Sequence, residues 1–411
     1  MKVHSMTEPQ YVQCCIAGGG PAGMMLGYLM GRAGVETVVL EKHGDFLRDF
    51  RGDTVHPSTL DIMSELGLIE DFLKHPHSEI REIAVEIGQD HIKVADFTRI
   101  PGQNKFMATM PQWDFLNFLA ENAKRYPRLK ILMQAEVTDL IEDGGRVIGV
   151  TAKTPEGPLS VRADVVIGCD GRSSTVRAKA GLDVQDLGAP IDVLWFRLSK
   201  KPGDPQTVLG RLSPGKMIVT IDRCEYWQCA YVIQKGGFQK VQADGLLAFK
   251  ASLAEGAKFL ADRVDELTSF EDIKLLSVSV DRLTKWSRPG LLCIGDAAHA
   301  MSPVGGVGVN LAIQDAVATA NLLSAKLKTG TLKDADLDAV RRRRLFPVQV
   351  IQAAQILVHN TIFKPNLAGA RPTIKAPWPV KLLNRNAWLR RWPAELIGLG
   401  VRRENVRSPS A

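Results

Sequence analysis

The sequence predicts an α/β protein: a Rossmann-like nucleotide-binding domain, discontinuous in the chain, then a second, mostly β domain and C-terminal helices. Three glycine- and aspartate-bearing segments predict it, AGGGPAG at Ala17 to Gly23, CDGRSS at Cys169 to Ser174 and GDAAHAMSPVGGVGVN at Gly295 to Asn310. Each follows a short apolar run of strand type, so the later two return the chain to the domain that the first one opens, although they are far apart in sequence.

The elements follow in order. YVQCCIA reads as a buried strand, the glycine run as a tight turn, Met24 to Arg32 as a helix and ETVVLEK as the next strand, a βαβ unit close to the N-terminus. Pro57 to Leu66 and Trp113 to Tyr126 read as helices, and REIAVEIG and HIKVADF between them as strands of another sheet. LKILMQAEVTDLIED, RVIGVTAKT and ADVVIGCDG are the next strands, the last returning to the nucleotide domain. From about Pro190 to Val280 strand patterns dominate, among them IDVLWFRLS, MIVTIDR and EYWQCAYVIQ, with one helix near Gly245 to Asp262. GLLCIGDAAH is again strand and turn, and Asn310 to Lys328 an alanine-rich helix. This gives residues 1–75, 108–185 and 285–345 to the nucleotide domain, 76–107 and 186–284 to a β-sheet substrate domain, and 346–411 to a helical, basic C-terminal segment.

With 411 residues the chain has room for two or three units and a large ligand. A 45% hydrophobic and 24% charged composition is that of an ordinary globular protein. The net charge of +7 fits steering of an anionic small molecule, and no nucleic-acid module accompanies it. No run reaches the roughly 18 apolar residues of a membrane span, and the polar N-terminus predicts a cytoplasmic address. The six cysteines lack metal-ligand spacing and read as reduced core residues, so no metal is expected.

In the first segment Gly18 permits the tight turn, Gly20 lets backbone N–H groups approach a pyrophosphate, and Ala22 and Gly23 allow close helix packing. Glu41 ends the next strand 18 residues after Gly23, where a carboxylate reaches ribose hydroxyls and disfavours a 2′-phosphate. This turn is Rossmann-like. In the third segment Asp296 stands at a strand end where a carboxylate can hold a polyol such as a ribityl chain. Pro303, Gly306, Gly308, Val309 and Asn310 then open a helix whose positive end faces an anion, as the N1 and C2 carbonyl edge of a reduced flavin would be. Asn310 as a plain cap of a glycine loop is the alternative.

In these three motifs, in their order and separation, the chain resembles the group A, single-component FAD-dependent monooxygenases of the para-hydroxybenzoate hydroxylase fold over roughly residues 10–345. The resemblance implies bound FAD, NAD(P)H as a transient reductant, and an oxygen atom from O2 inserted into an aromatic or polycyclic small molecule through a flavin C4a-hydroperoxide. It implies that Asp170 and Gly171 help hold the FAD, that Arg51 in FLRDFRGDT contacts its pyrophosphate side, that Gln112 meets the ribityl chain, where many relatives carry arginine, and that the Val137 backbone meets the adenine. No second dinucleotide turn and no redox Cys pair are present, which argues against disulfide reductases. The run Trp227 to Val232 lacks the Trp-x-Trp-x-Ile-Pro of flavin halogenases. A flavin reductase of the geranylgeranyl reductase type and a non-catalytic flavin sensor are the alternatives.

No catalytic residue is legible. His56, in the loop before the Pro57 helix, is a candidate base for a phenol, against a plain loop or capping role. His299, just after Asp296, is expected to pack and hydrogen-bond. Trp195, Phe196, Met217, Trp227 and Tyr231 lie on strands of the second domain, as core or as an apolar pocket, and Tyr226 to Gln234 carries no arginine or lysine to clamp a carboxylate. Arg341 to Arg344 read as a solvated face or a subunit contact of a homodimer. The tail from Lys364, rich in tryptophan and arginine, is expected to pack over the second domain rather than on a membrane surface.

Overall fold

The structure, a computed structural model, describes residues 10–47, 54–205, 209–369 and 375–411. Five strands form its parallel sheet in the spatial order Leu291–Cys293, Gly157–Gly168, Gln10–Ala17, Thr37–Leu40 and Leu129–Leu132. Their side chains are apolar on both faces, as a sheet covered on two sides requires. The chain leaves Gln10–Ala17 toward Thr37–Leu40 on one side and returns as Gly157–Gly168 on the other. The order therefore reverses at the first strand, and the crevice beyond its carboxyl end is the ligand position of such sheets. The expected long strand LKILMQAEVTDLIED is two, because Gln134, at a φ of 55°, turns the chain between Leu129–Leu132 and Glu136–Asp143.

A second sheet of seven strands runs in the order Lys274–Leu276, Ile191–Ser199, Tyr226–Gln234, Lys216–Asp222, Leu209–Ser213, Glu82–Ile87 and Asp90–Asp96. Its two faces differ. Leu194, Phe196, Trp227, Cys229 and Tyr231 point to an outer face closed by Phe249 and Leu253 of the helix Leu246–Gly256. Val193, Trp195, Ala230 and Val232 form an inner face that meets Val304 and Phe363. The five candidate pocket residues, four aromatics and a methionine, are thus divided by the two-residue period of a strand. Phe196, Trp227 and Tyr231 belong to the outer core, and only Trp195 and Met217 to the inner cluster.

The alanine-rich helix begins at Gly308 and runs to Lys328, packed on the helix Pro21–Arg32. The next helix, Asp334–Val358, continues unbroken through Pro347, so the expected boundary at 345/346 lies inside it. Two short helices, Trp378–Arg385 and Arg391–Gly398, lie on the strand Asp90–Asp96. The chain end turns back to the parallel sheet, where the Val406 and Ala411 amides donate to Glu65 and to the Arg32 carbonyl at 2.6 and 2.8 Å. Of the cysteines, Cys224 departs from the expected core position. It is exposed in a turn at a φ of 63°.

Candidate cofactor and substrate site

The first turn is built by close approach. Gly18 has a φ of 103°, and a Cβ on Gly23 would lie 1.9 Å from the Gly18 carbonyl oxygen, so helix and turn touch backbone to backbone. Around a Cβ placed on Gly20 there is no atom of a described residue within 4 Å, which leaves the space above the turn open among the described residues. Pro21 starts the helix with a φ already suited to it, and no side chain caps the first turn. Its N–H groups are left for an acceptor from outside. Glu41, buried at the end of Thr37–Leu40, accepts from the Gly19 amide at 2.8 Å and the His43 amide at 3.0 Å, fixed beside the turn. Ala22 is buried below the turn, 3.2 Å from where a Cβ on Gly295 would stand. The first and third segments are therefore in contact.

Gly295–Ala297 is a single turn at the carboxyl end of Leu291–Cys293. The Asp296 carboxylate is half-buried and has no hydrogen-bond partner among the described residues. The loop from Pro303 then carries Gly305 and Gly306 at φ of 80° and 64° into the helix that opens at Gly308 with Val309 in its first turn. This helix too has no side-chain cap. Asn310 is not the cap: it is buried, two residues inside the helix, and its Oδ1 accepts from Ser58 at 2.5 Å and Thr59 at 3.0 Å.

The other sequence candidates separate. Asp170 accepts from the Ser174 hydroxyl at 2.5 Å and the Val176 amide at 3.0 Å, pinning the start of the helix Thr175–Lys179. Burial raises its pKa above the ordinary carboxylate value, against those hydrogen bonds. Gly171, at a φ of 84°, has open space around its Cα. Gln112 is the first residue of the helix Gln112–Ala123, and its amide makes no hydrogen bond to a described residue. Val137 is buried and paired with Ala152 across the antiparallel extension of the sheet. Arg51 lies outside the described residues.

His56 is not placed as a base. It is fully buried, its Nδ1 lies 2.8 Å from the Ile397 carbonyl and its Nε2 3.0 Å from the Gly306 carbonyl, and burial pushes its pKa down to about 4. Both nitrogens face backbone carbonyls, and the neutral ring donates its single N–H to one of them, packed between the Gly306 loop and the helix Arg391–Gly398.

Two groups escaped the sequence reading. Asp315, wholly buried, accepts from His299 Nε2 at 2.6 Å, Arg344 Nε at 2.8 Å and the Gly295 amide at 3.1 Å. Burial alone would raise its pKa, but the facing His299 and Arg344 hold it below the ordinary range. Arg344 is thereby corrected from a solvated or subunit-contact residue to a buried one with no exposed surface. The second group is Arg223 and Gln228. The Arg223 Nε donates to Gln228 Oε1 at 2.9 Å, which leaves the buried Gln228 Nε2 without a partner among the described residues. Gln228 alternates with Ala230 and Val232, so it faces the inner side of the second sheet, the side that meets Val304 of the glycine loop. A polar residue in register with the inward set of an apolar strand was the available signal. The arginine, five residues earlier in a turn, gave none.

These features describe an α/β protein with an open glycine turn and two uncapped helix starts at the carboxyl ends of its parallel strands, and with the inner face of a second sheet meeting the Gly306 loop. The open space over Gly20, the two uncapped helix starts and the unpartnered Asp296 fit FAD. The chain belongs to the FAD-dependent monooxygenases of group A, and residues 11–354 match the family model described as FAD binding domain. It is 35% identical over 84% of its length, and 85% of the relative's, to 6-methylpretetramide 4-monooxygenase of Streptomyces rimosus. It is 24% identical to para-nitrophenol 4-monooxygenase of Pseudomonas sp. (strain WBC-3), over 80% of this chain and 82% of that one. The fold is that of p-nitrophenol 4-monooxygenase PnpA from Pseudomonas putida DLL-E4, with a TM-score of 0.75 at 20% identity over 96% and 100% of the two chains. The chain is a FAD-binding oxidoreductase of the monooxygenase class, and the reductase and sensor readings are not favoured. Among the described residues no helix is long and apolar enough to cross a membrane.

Asp296→Ala is expected to raise the FAD dissociation constant about ten- to a hundredfold, the worth of one or two charge-assisted hydrogen bonds. Flavin fluorescence titration of the apoprotein measures it. An unchanged constant would remove Asp296 from the ribityl site.

Proposed function

We propose that the protein hydroxylates a phenolic aromatic or polycyclic small molecule, with NAD(P)H as transient reductant and O2 as oxygen donor. The observation that carries the substrate class is the Gln228–Arg223 pair, a polar point on an otherwise apolar inner face turned toward the glycine loop. The names of the relatives, 6-methylpretetramide and para-nitrophenol 4-monooxygenases, support the same chemistry. Bound FAD supplies reduction of O2 and the oxygen transfer. The chain's residues hold and orient: Asp296, Glu41 and the two helix starts hold the cofactor, Gln228 Nε2 donates to the substrate's phenolic oxygen, and Arg223 aligns that amide. The buried Arg223 charge favours the ionised form of that oxygen, which activates the ring toward an electrophilic oxygen. Burial lowers the guanidinium to about 10, so it stays charged at neutral pH. Trp195, Ala230 and Val232 exclude water. No separate nicotinamide domain is legible in the sequence, which supports transient binding of NAD(P)H.

The test is NADH and NADPH oxidation by the FAD-loaded enzyme, with O2 uptake and product mass, over a panel of phenols and polycyclic aromatics. A product heavier by one oxygen supports the proposal. A gain of two hydrogens without O2 uptake would assign a reductase instead.

Gln228→Leu is expected to leave FAD content unchanged, raise KM about tenfold by loss of the substrate hydrogen bond, and divert reducing equivalents to hydrogen peroxide. The ratio of product to NAD(P)H consumed measures the diversion. Wild-type KM and coupling in this variant would exclude Gln228 from the substrate contact.

A further inference from the structure

The two short helices Trp378–Arg385 and Arg391–Gly398 place their largest apolar side chains outward. Their undersides are already satisfied by smaller residues, Ala376 and Val380 against Ile87, Ile92 and Leu212, and Ala394 against Ile80, Phe97 and Met107. Trp378, Trp388 and Trp392 are 77%, 56% and 62% exposed, and Leu382 is 44% exposed. Trp378 and Leu382 stand one turn apart on the first helix, so they share a face. Trp388 and Trp392 form an edge-on pair with centroids 6.2 Å apart. An exposed indole cluster of this kind costs hydration free energy and adds nothing to the core beneath it.

Basic residues outnumber acidic ones around it. Residues 375–398 carry Lys375, Lys381, Arg385, Arg390 and Arg391 against the single acid Glu395. Glu395 is engaged by Arg391, Lys381 meets Asp90 at 3.0 Å, and Arg390 donates to the Leu383 and Asn384 carbonyls at 3.0 and 2.7 Å, tying the helices together. Arg385 is exposed and has no carboxylate partner among the described residues.

We propose that this face docks on an anionic lipid surface. Indole rings have an apolar body and an N–H that seeks water, which suits the boundary of headgroups and acyl chains, and arginine and lysine around them match anionic headgroups. A protein partner with an acidic, apolar groove would meet the same charges. The choice of a bilayer rests on the tryptophans, which project from two helices and the turn between them. The attachment is peripheral. It also sets the docked face one helix from the cofactor loop, since the Ile397 carbonyl meets His56 and His56 meets the Gly306 carbonyl.

The experiment is co-sedimentation of the FAD-loaded full-length protein with vesicles of phosphatidylcholine alone and of phosphatidylcholine with phosphatidylglycerol, with tryptophan emission recorded on the same samples. Expected are pelleting and a blue shift with the anionic vesicles, both reduced by salt and by omission of phosphatidylglycerol. The double variant Trp388→Ser, Trp392→Ser is expected to keep its FAD and to partition about tenfold less or weaker still, having lost two buried indoles. Trp378→Ser is the second variant, on the other helix. No pelleting on either vesicle, or pelleting that the tryptophan variants do not alter, overturns the proposal. So does a concentration-dependent dimer in analytical ultracentrifugation that the variants abolish, which would make the face a contact between two copies. None of these readouts depends on the substrate, so hydroxylase and docking stand or fall separately.

Discussion

Gly20→Val is expected to give a folded apoprotein that no longer holds FAD, whereas Gly23→Ala is expected to lose both the cofactor and much of the fold's stability. The difference comes from what each new side chain meets. Gly20 has ordinary extended backbone, with φ and ψ of −73° and −174°, and no described residue comes within 4 Å of its Cβ position. A valine there enters the volume proposed for the pyrophosphate. A Cβ on Gly23 would sit 1.9 Å from the Gly18 carbonyl oxygen, so helix and strand must part. Overpacking of this sort costs about 1–3 kcal/mol or more where backbone must move. Flavin absorbance after purification and circular dichroism melts of both variants check the pair. A yellow Gly20→Val protein would show that the cofactor lies elsewhere.

Asp315→Asn is expected to destabilise the protein by about 3–5 kcal/mol, because it removes the nearer of the two carboxylates that face the buried Arg344 charge. The damage should reach the cofactor, since Asp315 also holds the Gly295 amide that sets the turn before Asp296. Denaturant unfolding and flavin release measure the two effects. Asp315 has a pKa below the ordinary carboxylate range when folded. Its contribution is therefore present above the unfolded value near 3.8 and is lost as pH falls through the lower folded value. In the variant this acid-side loss should be missing. A variant as stable as wild type would mean that the Arg344 charge is met from Glu404, whose carboxylate lies 3.8 Å from its Nη1.

The cofactor side of the proposed site is written in the sequence because the chemistry assigned to it is carried by backbone. A pyrophosphate or flavin edge is met by glycine turns and helix starts, and only certain residues permit those conformations, so Gly18, Gly20, Gly23 and the Gly295–Asp296 turn leave a mark at fixed spacing. The substrate side left almost none. Which of Trp195, Phe196, Met217, Trp227 and Tyr231 faces the cofactor depends on strand register, and a shift of one residue would exchange the two sets. His56 and Arg344 illustrate the same limit. In sequence they are a loop histidine and one of four arginines, and only packing decides that the first lies between two carbonyls and the second is buried on Asp315.

By itself, then, the sequence determined the α/β class and the FAD, since local backbone conformation depends on nearest neighbours in the chain. The tertiary structure alone decided the inward Gln228 with its Arg223, the buried His299–Asp315–Arg344 group and the outward tryptophans. These depend on which distant surfaces meet, and burial, which sets their charge and hydrogen bonding, is a property of the whole fold.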